Sequence, residues 1–388
     1  MTKVRIDTCH ASIECRGKFE YKEREMSRKQ GVLIIGGGWV STQHINAFKN
    51  NPNAEVLAIC SRTKEGARKC ATEAGLAAEC FDDYNKALKM SGVDIVAIGS
   101  PQHVHAEQTI AAARAGKHLL IEKPVAQSLS EMYAMREAVR TAGVKTVVSF
   151  VLRWNPLFQR LKKMSAEGAF GEIYAVETDY QSYCGDWWGG YSIGRTKAMG
   201  VSAFLLAGCH AIDALRWFAG AGEFEAATPV EVFAYSGGKR GNSTHQYNPV
   251  TNSWHDNALP LEYAGLEMAM VRFSNGVLGK VSVNFECIQP YAFPVEIFGD
   301  KGSVKDHRIW SHKFPEQKTW IELSETRPES SDVKHHPFQA EIDHLVECVV
   351  NNHESHCNLE DTIKTHEIVF AAQECYRTKV PVSLPLKV

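Results

Sequence analysis

The chain has no apolar run long enough to span a bilayer, which argues against a membrane-embedded protein. It has no excess of either charge. Lys+Arg 43 against Asp+Glu 45 gives a formal net charge of -2 at pH 7, so neither a nucleic-acid nor a membrane-surface partner is expected. There is no Cys-x-x-Cys pair among the 11 cysteines, and several lie in apolar periodic stretches where Cys serves as a small hydrophobe. Odd in number and with no secretory signal ahead of them, they are expected to be reduced thiols in a cytoplasm. No pair of histidines has the spacing of a zinc-protease helix, and His353-Glu354-Ser355-His356 reads as a solvated turn, so no metal is expected.

What remains is ordinary for a globular protein: 388 residues, 44% hydrophobic and 23% charged, enough for two cores. Residues 1–30 are polar without periodicity and read as an extension, either a tail or an arm exchanged between subunits. Then comes Val32-Leu33-Ile34-Ile35, a strand buried on both faces, followed by Gly36-Gly37-Gly38 and a helical stretch from Ser41. A strand, a glycine turn and a helix start present backbone N–H groups to a diphosphate. The spacing Gly36-x-Gly38-x-x-Ser41 replaces the usual third glycine with another small residue. Gly36, Gly38, Trp39 and Val40 are therefore candidate cofactor contacts.

A second strand, Ala54 to Cys60, ends at Ser61-Arg62-Thr63 with none of the acid that would accept ribose hydroxyls; Glu65 is the nearest. Ser61 and Arg62 could face a 2′-phosphate, although an exposed arginine after a strand also serves solubility alone. The cofactor is thus NAD or NADP, with a lean to NADP. Further strands at 93–99, 117–121 and 145–150 alternate with helices, which implies right-handed crossovers and a doubly wound parallel sheet over 31–150. The carboxyl ends of such strands line the ligand crevice. Ser100, Pro101, His103 and His105 fall at one end, and Glu122-Lys123-Pro124 at another. The Glu122–Lys123 pair is either a surface ion pair or a catalytic element at the nicotinamide edge.

Residues 151–388 change texture. Alternating stretches at 172–180, 230–235, 267–273 and 278–285, with an Asn275-Gly276 turn, predict a large open and mostly antiparallel sheet. Arg153 opens this half. Tyr180, Tyr183, Trp187 and Trp188 mix rings with polar residues, a pattern that suits stacking on a sugar and also suits a subunit interface; Arg195 follows on a loop. Residues 236–265 are a candidate lid or interface loop. On the helix around 207–218, His210, Asp213 and Trp217 share a stripe, so His210 and Asp213 could touch. His210 is either a satisfied core histidine or a catalyst.

Gly36-x-Gly38, Glu122-Lys123-Pro124 and Gly208-x-His210-x-x-Asp213, in this order, resemble the Gfo/Idh/MocA oxidoreductases over roughly residues 31–386. The resemblance implies a Rossmann domain, then an α/β domain whose open sheet often serves oligomerisation, and a Lys-Pro bond that is often cis. It implies Lys123 and His210 as the catalytic pair, with Asp213 orienting. Many relatives have Asp four residues before the histidine, where this chain has Leu206. The Trp-rich loop and the Ala-Gly-Cys-His helix are similar to those of members that oxidise C3 of glycosides, including C-glucosides.

The implied reaction moves hydride between a sugar carbinol carbon and the nicotinamide. Lys123 would act as general base beside the cationic ring, and His210 would relay the proton. Arg153, Tyr180, Tyr183, Trp187, Trp188, Arg195 and Asp213 would hold the substrate. A homo-oligomer is expected. Two alternatives stay open at this point. One is a redox-neutral glycoside cleavage by transient oxidation and elimination; the other is a non-catalytic dinucleotide-binding regulator.

Overall fold

The structure is a computed structural model, and it describes residues 28–239, 243–249, 251–328 and 336–387. Most of the expected N-terminal extension, parts of the 236–265 loop and His335 lie outside the described residues.

Six strands form the first sheet: β1 (Gln30–Ile35), β2 (Ala54–Cys60), β3 (Glu79–Phe81), β4 (Val93–Ile98), β5 (His118–Ile121) and β6 (Thr146–Val148). Their order is β3-β2-β1-β4-β5-β6 and every pairing is parallel. Val32, Leu33 and Ile34 are completely buried, as an unbroken apolar strand between two helical layers must be. The connecting helices are α1 (Trp39–Asn50), α2 (Lys64–Glu73), the short α3 (Tyr84–Ala87), α4 (His105–Arg114) and α5 (Leu129–Ala142). Ser128 caps α5 by accepting from the Glu131 N–H, and Gly143 ends it in a left-handed conformation.

After α6 (Pro156–Ala166) the chain builds a second sheet. Its members are β7 (Ile173–Gln181), β8 (Pro229–Gly237), β11 (Leu266–Phe273), β12 (Leu278–Asn284), β13 (Val295–Gly299), β14 (Gly302–Lys305), β15 (Arg308–Ser311), β16 (Ile321–Glu322) and β17 (Val382–Ser383). A separate hairpin of β9 (Gln246–Asn248) and β10 (Ser253–His255) rises from the 236–265 loop. The nine-stranded order is β16-β15-β14-β13-β7-β12-β11-β8-β17, antiparallel except where β12 runs parallel to β7. Alternation along β11 sends Ala269, Val271 and Phe273 inward and leaves Met268 and Met270 exposed.

The short α7 (Tyr191–Gly194) precedes α8 (Cys209–Ala219), which packs on β7 and β12 and is entered through a π-helical turn, Phe204–Gly208. A single wider turn of this kind often marks a functional site. Gly208 lets the turn reach the sheet: a Cβ there would sit 2.9 Å from the Val283 Cβ.

The last two helices, α9 (Phe338–Asn351) and α10 (Leu359–Thr378), come after all strands of the second sheet but β17; α9 packs back on α1 and β6, and α10 bridges the halves, lying along β8 and α8 while also touching α5 and β6. Asn51 after α1 donates to Asp343 on α9 at 2.7 Å, and the Val148 N–H donates to the Cys357 carbonyl at 2.9 Å. The turn between them is not simply solvated. Ser355 and Cys357 are buried, and the His356 ring lies parallel to Trp217, because the turn is pressed against α8. Among the described residues, no helix is long and apolar enough to cross a membrane.

Candidate active site

Gly36 follows β1 directly with φ +129, and a Cβ there would lie 2.6 Å from the Gly99 carbonyl oxygen. Only glycine permits both that dihedral and that approach of two strand ends. Gly38 is the N-cap of α1, and a Cβ on it would meet nothing within 4 Å. No side chain caps the helix and its first turn holds no acid. Uncapped N–H groups and the positive end of a helix dipole therefore open onto free space, which is what a dinucleotide diphosphate requires. The residues present fit such a cofactor. Ser61 lies beside Gly37, and Arg62 and His103 are exposed at neighbouring strand ends.

A cavity of about 430 Å³ continues from this crevice toward the second sheet. Trp39, Val40, Ser100, Pro101, Glu122 and Lys123 line it from the first half; Tyr180, Tyr183, Trp187, Trp188, Leu206 and His210 line it from the second. Thus Lys123, at the end of β5, and His210, on the first turn of α8, face one space from opposite sides.

The Lys123-Pro124 bond is cis. The Lys123 ammonium donates to the Leu206 carbonyl at 3.4 Å, so the backbone of the π turn meets it where the family resemblance leads one to expect an Asp side chain. His210 is buried with its Nδ1 unpartnered. Burial, then the Lys123 ammonium, then His336 hold its imidazole well below the usual histidine range, so it is neutral near pH 7. The edge of Phe150 packs against it at 5.8 Å. Trp187 presents a buried Nε1–H with no partner.

Glu122 is not a surface residue. It is buried, its Oε1 lies 3.1 Å from His44 Nε2, and its Oε2 accepts from the Lys123 backbone N–H. Burial opposes its charge, but the hydrogen bond and charge of His44 and the Lys123 ammonium outweigh it and hold its carboxyl below the usual range.

Four expected contacts go elsewhere. Asp213 does not reach His210: both its oxygens take the Arg153 guanidinium at 2.7 Å, and Thr365 adds a hydroxyl at 3.0 Å. Arg153 also bonds Asp361, which in turn bonds Arg216. Arg153 and Asp213 are both buried and lie off the cavity, in a charge network that ties α8 to α10. The shared helical stripe was real, but a guanidinium outcompetes a neutral imidazole for a carboxylate. Arg195 turns away to the Pro260 carbonyl and Glu262. His105 is buried, its ring nitrogens 2.7 Å from the Ser100 carbonyl and 2.8 Å from the Pro124 carbonyl, so it braces two crevice loops and touches no open space.

Residues that sequence reasoning passed over also line the cavity, among them Gln102, Ser149, Tyr291, His336 and Phe338. The His336-Pro337-Phe338 run offered a signal, an aromatic and a histidine just ahead of a helix, but nothing in the sequence brings the chain end back to the first sheet.

Comparison with known proteins fits this geometry. Residues 30–150 match the family model described as oxidoreductase family, NAD-binding Rossmann fold, and residues 158–305 match the GFO/IDH/MocA C-terminal domain. A levoglucosan dehydrogenase of Pseudarthrobacter phenanthrenivorans is 30% identical over 295 residues, covering 70% of this chain and 72% of the relative. The chain belongs to the GFO/IDH/MocA oxidoreductase family. Its first half is therefore an NAD-binding Rossmann domain. A D-glucoside 3-dehydrogenase of Escherichia coli is 28% identical over 191 residues, or 49% of this chain and 54% of that one. Among solved structures, a levoglucosan dehydrogenase in complex with NADH superposes with a TM-score of 0.78 at 21% identity, over 92% of this chain and 100% of that one. It shares the fold.

Proposed function

We propose that this oxidoreductase takes hydride from a secondary hydroxyl carbon of a sugar or glycoside, at ring C3, to give a 3-keto-glycoside. The observation that carries the reading is the meeting of Lys123 and His210 in one aromatic-walled cavity beside the glycine turn. The named relatives acting on levoglucosan and on D-glucosides support a sugar substrate. The oxidised nicotinamide, when bound, accepts the hydride. Lys123 in its free-amine form takes the hydroxyl proton and becomes the ammonium, and the neutral His210 hydrogen-bonds the same oxygen or relays the proton. Tyr183, Trp187 and Trp188 stack on the sugar, and the Trp187 Nε1–H donates to one of its hydroxyls. Exposed Tyr235, Met268, Met270 and Leu278 on the outer sheet face form the contact of a homo-oligomer.

A panel of sugars and glycosides, followed by nicotinamide absorbance with NAD and NADP supplied separately, tests the reading. Reduction of the cofactor by a glycoside but not by its 3-deoxy analogue is the expected result. Cofactor binding with no turnover of any sugar would remove it. Trp187→Phe keeps the ring and deletes one donor. It should raise KM for the sugar about tenfold, the worth of one hydrogen bond, with kcat within about twofold. Steady-state kinetics on the same substrate measure both.

A further inference from the structure

Three side chains of the first half donate to one short segment of the second. Gln127, on the loop that joins β5 to α5 and carries Lys123, gives its amide to the carbonyls of Ala198 and Met199, at 2.9 Å each. Gln102, just after β4, donates to the Met199 carbonyl as well, and Lys123 donates to that of Leu206. A carbonyl oxygen has two lone pairs, so that of Met199 is fully used. Segment 198–206 is thus tied at both ends to the first half. Between the ties stands Val201, at φ +64, with the Ser202 N–H bonded back to the Gly200 carbonyl at 2.7 Å. That is the strained form of γ-turn, and a β-branched side chain is a poor occupant of the left-handed region. Directly after it, Glu267 accepts from the Phe204 N–H at 2.5 Å and the Ser202 hydroxyl accepts from the Leu205 N–H at 3.1 Å, which starts the π turn that leads to His210.

We propose that Gln127 is a positioning residue: with Gln102 it latches segment 198–202 across the cleft, holds Val201 in its strained turn, and so fixes the π turn where the Leu206 carbonyl meets Lys123 and α8 aims His210 into the same cavity. The inference rests on the assignment of Lys123 and His210 as the catalytic pair. A strained residue persists only where its surroundings over-determine it, and here part of that constraint comes from the other half of the molecule. Without the glutamine donor, Val201 relaxes toward an extended conformation. The segment lengthens, and the π turn shifts relative to Lys123. Gln127 itself lies off the cavity, and its backbone N–H is held by Glu131 at 3.1 Å, so it acts on the chemistry through the segment.

Hydrogen exchange on the cofactor-free protein reads the latch without any substrate. In Gln127→Leu, close in size but with no donor, the amides of residues 202–208 should exchange on the order of tenfold faster, with those of β1 and α1 unchanged. The same variant should lower kcat on the order of tenfold, the worth of the hydrogen bonds lost, while KM for the sugar and the affinity for NADH measured by fluorescence stay within about threefold. Gln127→Lys, which restores a donor of sufficient reach, should recover most of that loss. Val201→Gly, which meets no steric penalty in the left-handed turn, should return part of the lost kcat when added to Gln127→Leu. Unchanged exchange at 202–208 in Gln127→Leu would overturn the latch. Faster exchange there with an unchanged kcat would overturn its part in catalysis. Near-normal turnover in Lys123→Ala and His210→Ala would instead remove the catalytic pair and leave the exchange result standing.

Discussion

Lys123→Ala should lower kcat by roughly 10²- to 10⁴-fold, the range for loss of a positioned general base, while NADH still binds. The side chain contributes nothing to the glycine turn or to the uncapped end of α1, so the diphosphate site is untouched. Its ammonium touches one protein group at hydrogen-bond distance, the Leu206 carbonyl, and otherwise faces the cavity. His210→Ala should cost on the order of tenfold to a hundredfold in kcat, because a neutral imidazole assists but does not carry the reaction alone. Fluorescence titration with NADH and steady-state kinetics on one sugar separate the two quantities. Near-normal turnover in both variants would refute the catalytic pair.

Asp213→Ala should destabilise the protein by about 3–5 kcal/mol, the penalty for breaking a buried ion pair by removing one partner. The variant leaves the Arg153 guanidinium with the His356 carbonyl and one carboxylate, Asp361, which Arg216 also uses. Urea unfolding measures the loss. In the fraction that stays folded, KM for the sugar should move less than about threefold, since the carboxylate lies off the cavity. A large rise in KM with unchanged stability would instead make Asp213 a substrate ligand.

That pair of residues shows where sequence reasoning stops. Helical periodicity puts His210 and Asp213 on one stripe, but Arg153 comes from 60 positions upstream, and no local pattern announces it. The parallel sheet was legible because Val32 to Ile35 and its counterparts are apolar runs bounded by glycine turns. The second sheet was legible from alternation and from Asn275-Gly276, which does join β11 to β12. Lys123 and Gly36 stood out because a charge or a glycine at a strand end has few other reasons to be there. Gln127 did not, because a glutamine just ahead of a helix looks solvated until a second element meets it. His105 looked like a crevice residue for the converse reason: its position is right, but both nitrogens are already taken.

The return of α9 and of the start of α10 to the first sheet has a consequence for how the chain comes off the ribosome. The N-terminal half is synthesised first, but the layer that closes one of its faces is among the last segments to emerge. Until then Val147, Val148 and the helix surface around Phe48 have no cover from that side, and such exposed apolar surface invites chaperone binding or aggregation. A fragment ending near residue 150 would carry the whole nucleotide fingerprint and still lack part of its own wall.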